Sequence, residues 1–153
     1  MIEKPYVVLG KYYPSRWKSW VVGPELCRLT QEWGLVPHPD PHHGPLRLKT
    51  WYDVKKHAEV RVQTLSSPKA YRGEQWHQDG DLNPESKMDC ALVTWSNVEP
   101  TQYQYKGRVY QPQPFELVIT RNLGCLHRRP PEAPKHRWLF RQRVRIPTHF
   151  SLP

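Results

Sequence analysis

Nowhere in the chain do about 18 apolar residues follow one another, so the sequence encodes no candidate transmembrane helix. The opening residues, Met1-Ile2-Glu3-Lys4-Pro5-Tyr6, carry no apolar run of the signal-peptide kind. Cysteine is scarce. Cys27, Cys90 and Cys125 are odd in number and widely spaced, and form neither a disulfide framework nor a Cys-x-x-Cys metal pattern, which fits a reducing compartment. These absences lead to the expectation of a soluble, cytoplasmic protein with no membrane partner. Acid is short too: 14 Asp and Glu stand against 23 Lys and Arg, giving a net charge of +9 and a pI near 9.6. The imbalance is steepest from Arg121 to Arg145, where eight Lys or Arg face one acid, Glu132. Such a surplus attracts polyanions, which makes nucleic acid a candidate partner. A solvated basic face, or counter-charge for small acidic ligands, is the plainer alternative.

Only 37% of the residues are hydrophobic, but 7 Trp, 8 Tyr and 3 Phe concentrate apolar area in a few large rings. A chain of 153 residues is long enough for one core, so residues 1–153 are read as a single domain. The 17 prolines disfavour long helices and favour short strands joined by fixed turns.

Residues 5–9 read as a short apolar strand ended by Gly10. Lys11 to Lys18 mixes aromatic and basic residues, which either cover the core or offer rings on which bases stack. Gly23-Pro24-Glu25 reads as the start of the one clear helix, with Leu26, Leu29 and Trp33 at helical spacing and Gly34 as its stop. A Pro/His-rich loop spans 36–45. Leu46–Tyr52 and Ala58–Leu65 alternate apolar and polar residues, as strands with one buried face do. Tyr71–Trp76 reads as a strand leading into His77. Cys90–Trp95 is apolar on both sides and reads as a buried strand. Further strands are predicted at 101–105, 108–110, 115–120, 125–127 and 137–145, with turns at Asn97–Pro100 and Lys106-Gly107. The fold class is therefore mainly β, a jelly-roll or small barrel with one or two flanking helices.

The chemistry centres on Trp76-His77-Gln78-Asp79-Gly80-Asp81. Side chains two apart on an extended strand share a face, so His77 and Asp79 can offer an imidazole nitrogen and a carboxylate oxygen to one metal ion. Two His and one carboxylate with open positions make the facial triad of non-haem Fe(II) oxygenases, and His127, at a later strand end, is the candidate for the second His. Ten residues on, Arg137 supplies a cation suited to bidentate pairing with a carboxylate. A second His-x-Asp, His38-Pro39-Asp40, lies among four prolines that forbid a paired strand, and reads as a solvated loop.

In that order, His77-x-Asp79, His127 and Arg137 resemble the His-x-Asp…His…Arg signature of the Fe(II)/2-oxoglutarate-dependent oxygenases. The likeness covers about residues 58–145 and leaves 1–57 as an N-terminal strand, helix support and loop. Within that superfamily, His77-Gln78-Asp79-Gly80-Asp81 and Phe140-Arg141-Gln142 are similar to the AlkB-type nucleic-acid dealkylases. The gap from His127 to the first arginine is shorter than in that group, and no counterpart of its nucleotide-recognition lid is evident. The resemblance implies a double-stranded β-helix, with Fe(II) held by His77, Asp79 and His127 as catalytic and metal residues. It implies 2-oxoglutarate as cosubstrate, held by Arg137, Arg141 or Arg143, with Tyr103 and Thr101 lining its pocket or simply part of the core. It also implies O2-dependent hydroxylation of a C–H bond, with release of succinate and CO2. An N-methyl group so hydroxylated would leave as formaldehyde. Asp81 and Trp76 are candidate substrate contacts, against the plainer readings of an exposed turn acid and a core ring. Nucleic acid, a nucleobase above all, is the expected substrate. A small molecule, amino acid or peptide is the alternative within the enzyme class, and a non-enzymatic basic β-barrel binding nucleic acid or protein is the alternative outside it.

Overall fold

The computed structural model describes residues 3–38, 50–63, 74–79, 89–131 and 136–153. Alternation gives its strands two unlike faces. In β3 (Ala58–Gln63), Ala58 and Val60 are buried on one side while Glu59 and Arg61 point to the other. In β9 (Arg137–Val144), Phe140 and Val144 join the main apolar core while Arg137, Leu139 and Arg141 line a cavity on the opposite face. Between them in sequence, β4 (Ala91–Ser96) is buried at every residue, Thr94 and Ser96 included, as the largely apolar Cys90–Trp95 run predicts.

These strands belong to a six-stranded antiparallel sheet in the order β1-β7-β4-β9-β3-β2, where β1 is Tyr6–Lys11, β2 is Thr50–Asp53 and β7 is Glu116–Arg121. A second antiparallel sheet has the order β6-β5-β8, from β5 (Gln102–Tyr105), β6 (Arg108–Tyr110) and β8 (Leu126–Arg128). Lys106 and Gly107, both at positive φ, close the β5–β6 hairpin as the Lys-Gly pair predicts. The described strands are mainly β in two facing sheets and do not close into a barrel.

One face of the large sheet packs on α1 (Ser19–Glu32) through Val22, Leu26 and Cys27, against Val60, Val93, Trp95, Ile119 and Phe140. Each fully buried Val or Leu contributes roughly 1.5–3 kcal/mol relative to exposure. The other face meets the small sheet through a smaller cluster of Tyr6, Tyr103, Val118 and Cys125. Across that gap the Tyr103 hydroxyl lies 2.7 Å from Thr94 Oγ1, tying β5 to β4.

Three local expectations change. The helix begins at Ser19, and Pro24 lies inside it rather than at its first turn. The amides of Val21 and Val22 donate to Lys18 O and build the first turn upstream. Burial of Val22 and Leu26 on either side of Pro24 offsets the hydrogen bond that proline cannot donate. Gly23 has a packing role, since a Cβ there would sit 2.2 Å from the Trp51 ring. Gly10 does not end β1; the strand continues to Lys11 past a bulge between Val8 and Gly10. Glu74–Trp76 belong to no named strand, and His77 pairs with His127 as an isolated antiparallel bridge. Gly34, at φ +72, does terminate the helix as read from sequence. Residues 39–49, 64–73, 80–88 and 132–135, which include Asp40, Asp81 and the ends of three predicted strands, lie outside the described residues.

Candidate metal centre

The bridge between His77 and His127 explains why two histidines 50 positions apart meet. His77 N–H donates to His127 O at 3.0 Å and His127 N–H donates to His77 O at 2.8 Å. Paired in this way, the two rings stand 4.5 Å apart at 64°. Asp79, two residues along, shares the His77 face. Its Oδ1 lies 2.9 Å from His127 Nε2 and 3.8 Å from His77 Nε2. One ligand atom from each of the three residues lies within 4.8 Å of the others, a spacing that could hold a metal ion.

The neighbouring groups suit that role. His77 Nδ1 lies 2.6 Å from Gln75 O, so Nδ1 carries the proton and the Nε2 lone pair faces Asp79 and His127. Asn122 clamps the carboxylate-bearing segment from both sides: its Oδ1 accepts from Asp79 N–H and its Nδ2 donates to Asp79 O, each at 2.9 Å. Two candidate nitrogen ligands and one oxygen ligand, from a single short segment and a facing strand, suit a divalent transition-metal ion. Ligands about 2.1 Å from a common ion and at right angles to one another would be about 3 Å apart, close to the Asp79–His127 separation.

Electrostatics fix the carboxylate in its charged form. Burial alone would raise Asp79, but the Arg141 guanidinium, with Nη1 2.7 Å from Oδ2, and His127 outweigh it and hold the carboxyl well below the usual range. Arg141 also donates through Nη2 to Glu59 at 2.6 Å, and Arg61 Nε donates to the other Glu59 oxygen at 3.1 Å. Burial opposes ionisation of Glu59 as well, and the two guanidiniums hold it below its ordinary value. Asp79, Arg141, Glu59 and Arg61 thus form a chain of alternating charge. His77 is shifted down, first by burial and also by the nearby Arg141 guanidinium, which favours the neutral, ligand-competent ring.

Arg137 sits in the same cavity, of about 130 Å³, and has no exposed surface. It donates to Glu99 O at 2.8 Å and Thr101 Oγ1 at 3.2 Å. Among the described residues no carboxylate forms an ion pair with it. Burial, then repulsion from Arg129, lowers its guanidinium to about 10. Arg129 lines the cavity as well and pairs with Glu74 at 2.8 Å.

The structure therefore brings together His77, Asp79, His127, Arg137, Arg141, Tyr103 and Thr101. It does not bring in Arg143, which shares the β9 face but lies beyond the cavity, where its charge acts on the Cys90 thiol. Trp76 is half-buried outside the cavity, its ring covered by the Arg128 guanidinium at 4.3 Å. Asp81 is outside the described residues. Sequence reasoning missed the contributions of Asn122, Glu59, Arg61 and Arg129. The alternation of β3 does mark Glu59 and Arg61 as sharing one face, but nothing in the linear pattern assigns Asn122 to Asp79.

The fold and site thus define a mainly β protein with a candidate His-Asp-His metal centre between two antiparallel sheets. Compared with known protein families, curated proteins and solved structures, the chain finds no match. Among the described residues, no helix is long and apolar enough to cross a membrane.

Proposed function

We propose that this protein is an Fe(II)- and 2-oxoglutarate-dependent dioxygenase that hydroxylates, or oxidatively demethylates, nucleic acid or a nucleobase. The observation that carries the enzyme class is the convergence, in one cavity, of the His77/Asp79/His127 donor set with the buried Arg137. Either feature alone has other uses. Together they match what the chemistry needs: a three-point metal seat with open positions, and a cation for a dicarboxylate.

The order of the segments supports a jelly-roll reading of the fold. With the His77–Asp79 piece counted between β3 and β4, the eight segments from β3 to β9 run first-eighth-third-sixth in the large sheet. The same count gives second-seventh-fourth-fifth in the small one.

Bound Fe(II) and 2-oxoglutarate would supply O2-dependent oxidation of a C–H bond coupled to decarboxylation of the cosubstrate. The chain's own groups bind and orient. His77, Asp79 and His127 would hold the ion; Arg141 and Asn122 keep the Asp79 carboxylate charged and correctly turned; Gln75 O keeps the proton of His77 on Nδ1. Arg137, with Thr101 beside it, would take the distal carboxylate of 2-oxoglutarate. The cavity falls below the roughly 300–1,000 Å³ usual for drug-sized ligands, which suits a small dicarboxylate. Nucleic acid as substrate rests on the net charge of +9.

Anaerobic titration with Fe(II) and 2-oxoglutarate tests the class. The expected result is a weak visible charge-transfer band that needs both additions and is lost in His77→Ala and Asp79→Ala. A folded, metal-free wild type that gives no band would sink the reading. Substrate class is tested separately by salt: turnover of an oligonucleotide should fall steeply with added salt, and a flat response would favour a small molecule.

A further inference from the structure

The N-terminal 57 residues contribute the helix and the first two strands but, among the described residues, no group to the cavity. One stretch within them is unusual for a surface that only covers a core. From Lys4 to Pro24 the sequence has four basic residues and no acid. Tyr13 and Trp20 are 64% and 65% exposed, and Trp17 is 46% exposed. Lys11, Arg16 and Lys18, interleaved with these rings, are exposed as well.

The rings are also held from behind. Tyr13 lies 4.8 Å from Phe115 at 34°, and Trp17 packs on Phe115, Trp95 and Trp138. The Lys18 ammonium sits 5.6 Å from the Trp20 ring. Rings fixed in this way lose little conformational freedom when a ligand stacks on them. Trp138, under Trp17, is the β9 neighbour of Arg137, whose side chain lines the cavity on the opposite face.

We infer that the Lys11–Trp20 segment is a binding platform for single-stranded nucleic acid. Tyr13, Trp17 and Trp20 stack bases there, and Lys11, Arg16 and Lys18 contact phosphates. This deepens the nucleic-acid half of the proposed function and gives the substrate strand a place to lie. Charge complementarity selects the occupant: flat π faces accept any base, and Lys11, Arg16 and Lys18 can track a phosphate backbone, with the Glu25 carboxylate beside them engaged by the Tyr12 and Ser15 hydroxyls. A lipid surface would also attract cations and Trp, but an interfacial anchor of that kind presents them on two faces of an amphipathic helix, whereas residues 11–18 precede α1.

The test is fluorescence anisotropy of labelled oligothymidylate of about 15 nucleotides, titrated with full-length, metal-free protein at about 50 and about 200 mM salt. Vesicles of phosphatidylcholine and phosphatidylserine serve as the competing probe. Wild type should bind the oligonucleotide, more weakly at the higher salt. Trp20→Ala should weaken binding about tenfold, Tyr13→Ala should weaken it less, and Arg16→Gln/Lys18→Gln should flatten the salt dependence. Both rings are exposed, so these variants should keep the anaerobic Fe(II)/2-oxoglutarate band. Wild-type affinity in both ring variants, vesicle binding without oligonucleotide binding, or no binding to either probe would overturn the inference. In the wild type, no oligonucleotide binding with the band present defeats the platform alone, and oligonucleotide binding with no band defeats the iron reading alone.

Discussion

The two faces of the large sheet are made by the same strands and could hardly differ more. Toward α1, β3, β4 and β9 present Val60, Val93, Trp95, Phe140 and Val144, all buried and all apolar. Toward the small sheet, the alternate residues are Leu92 and Leu139 together with Glu59, Arg61, Thr94, Arg137 and Arg141. The first face gains free energy by leaving water. The second gives some of it back, because buried charges are costly to desolvate and repay that cost only when paired and hydrogen-bonded. Asp79, Arg141 and Glu59 are paired; Arg137 has only neutral acceptors among the described residues. Expenditure of this kind, confined to one face and centred on a donor set that fits a metal, is what a functional cavity looks like.

The comparison can be broken most severely at Asp79. Asp79→Ala should remove metal binding by at least 100-fold, since one of three ligands is lost, and should destabilise the metal-free protein by about 3–5 kcal/mol because Arg141 is left half-paired. Calorimetric titration with Fe(II) or Co(II) and urea unfolding check the two parts. Phe140→Ala acts on the other face and should cost a similar about 3–5 kcal/mol in urea through the cavity it leaves. The metal affinity of whatever protein remains folded should be nearly unchanged. A large change there would mean the faces are not independent.

Arg137→Met sharpens the contrast in the opposite sense. The substitution should weaken 2-oxoglutarate binding by tenfold or more while leaving stability unchanged or raised, because a buried charge without a carboxylate partner is replaced by an apolar chain. Cosubstrate titration monitored by the charge-transfer band, beside a urea curve, would show both. Glu59→Gln should act at one remove, loosening Arg141 and lowering metal affinity by about tenfold, with the three ligands retained.

The smallest effect is in pH. Burial lowers the folded-state affinity of His77 for protons below its ordinary 6.5, so the unfolded chain binds a proton first as pH falls. Stability of the metal-free protein is therefore full above that value and declines below it. The depressed carboxyls of Asp79 and Glu59 add a second decline as pH drops through and below their ordinary 3.8 and 4.5. Urea midpoints from pH 8 down to 4 should show the first step in the wild type and lose it in His77→Gln.

Much of the architecture was legible in the sequence because β-strands carry their own code. The alternation of Ala58–Leu65, as far as it is described, the apolar run at Cys90–Trp95 and the Lys106-Gly107 turn reappear close to where the pattern puts them. The helix start was misplaced because Pro24 is locally a first-turn residue, whereas packing of Val22 and Leu26 extends the helix upstream of it. At the site, the His77-x-Asp79 spacing determines a shared face by strand geometry alone, and His127 and Arg137 stand out by residue type and position at strand ends. Whether they meet is a question of pairing.

Composition and spacing by themselves therefore determined that this is a basic, mainly β chain with His77, Asp79, His127 and a late arginine as its candidate chemistry. Only the tertiary structure decided that the His77–His127 bridge brings the donors together. It also decided that Arg137 rather than Arg143 lines the cavity, and that Arg141 is committed to Asp79 and Glu59. The reason is physical. Which side of a strand a residue occupies follows from its place along the chain, but which strands lie side by side, and in what register, follows from burying the apolar face of the whole sheet at once.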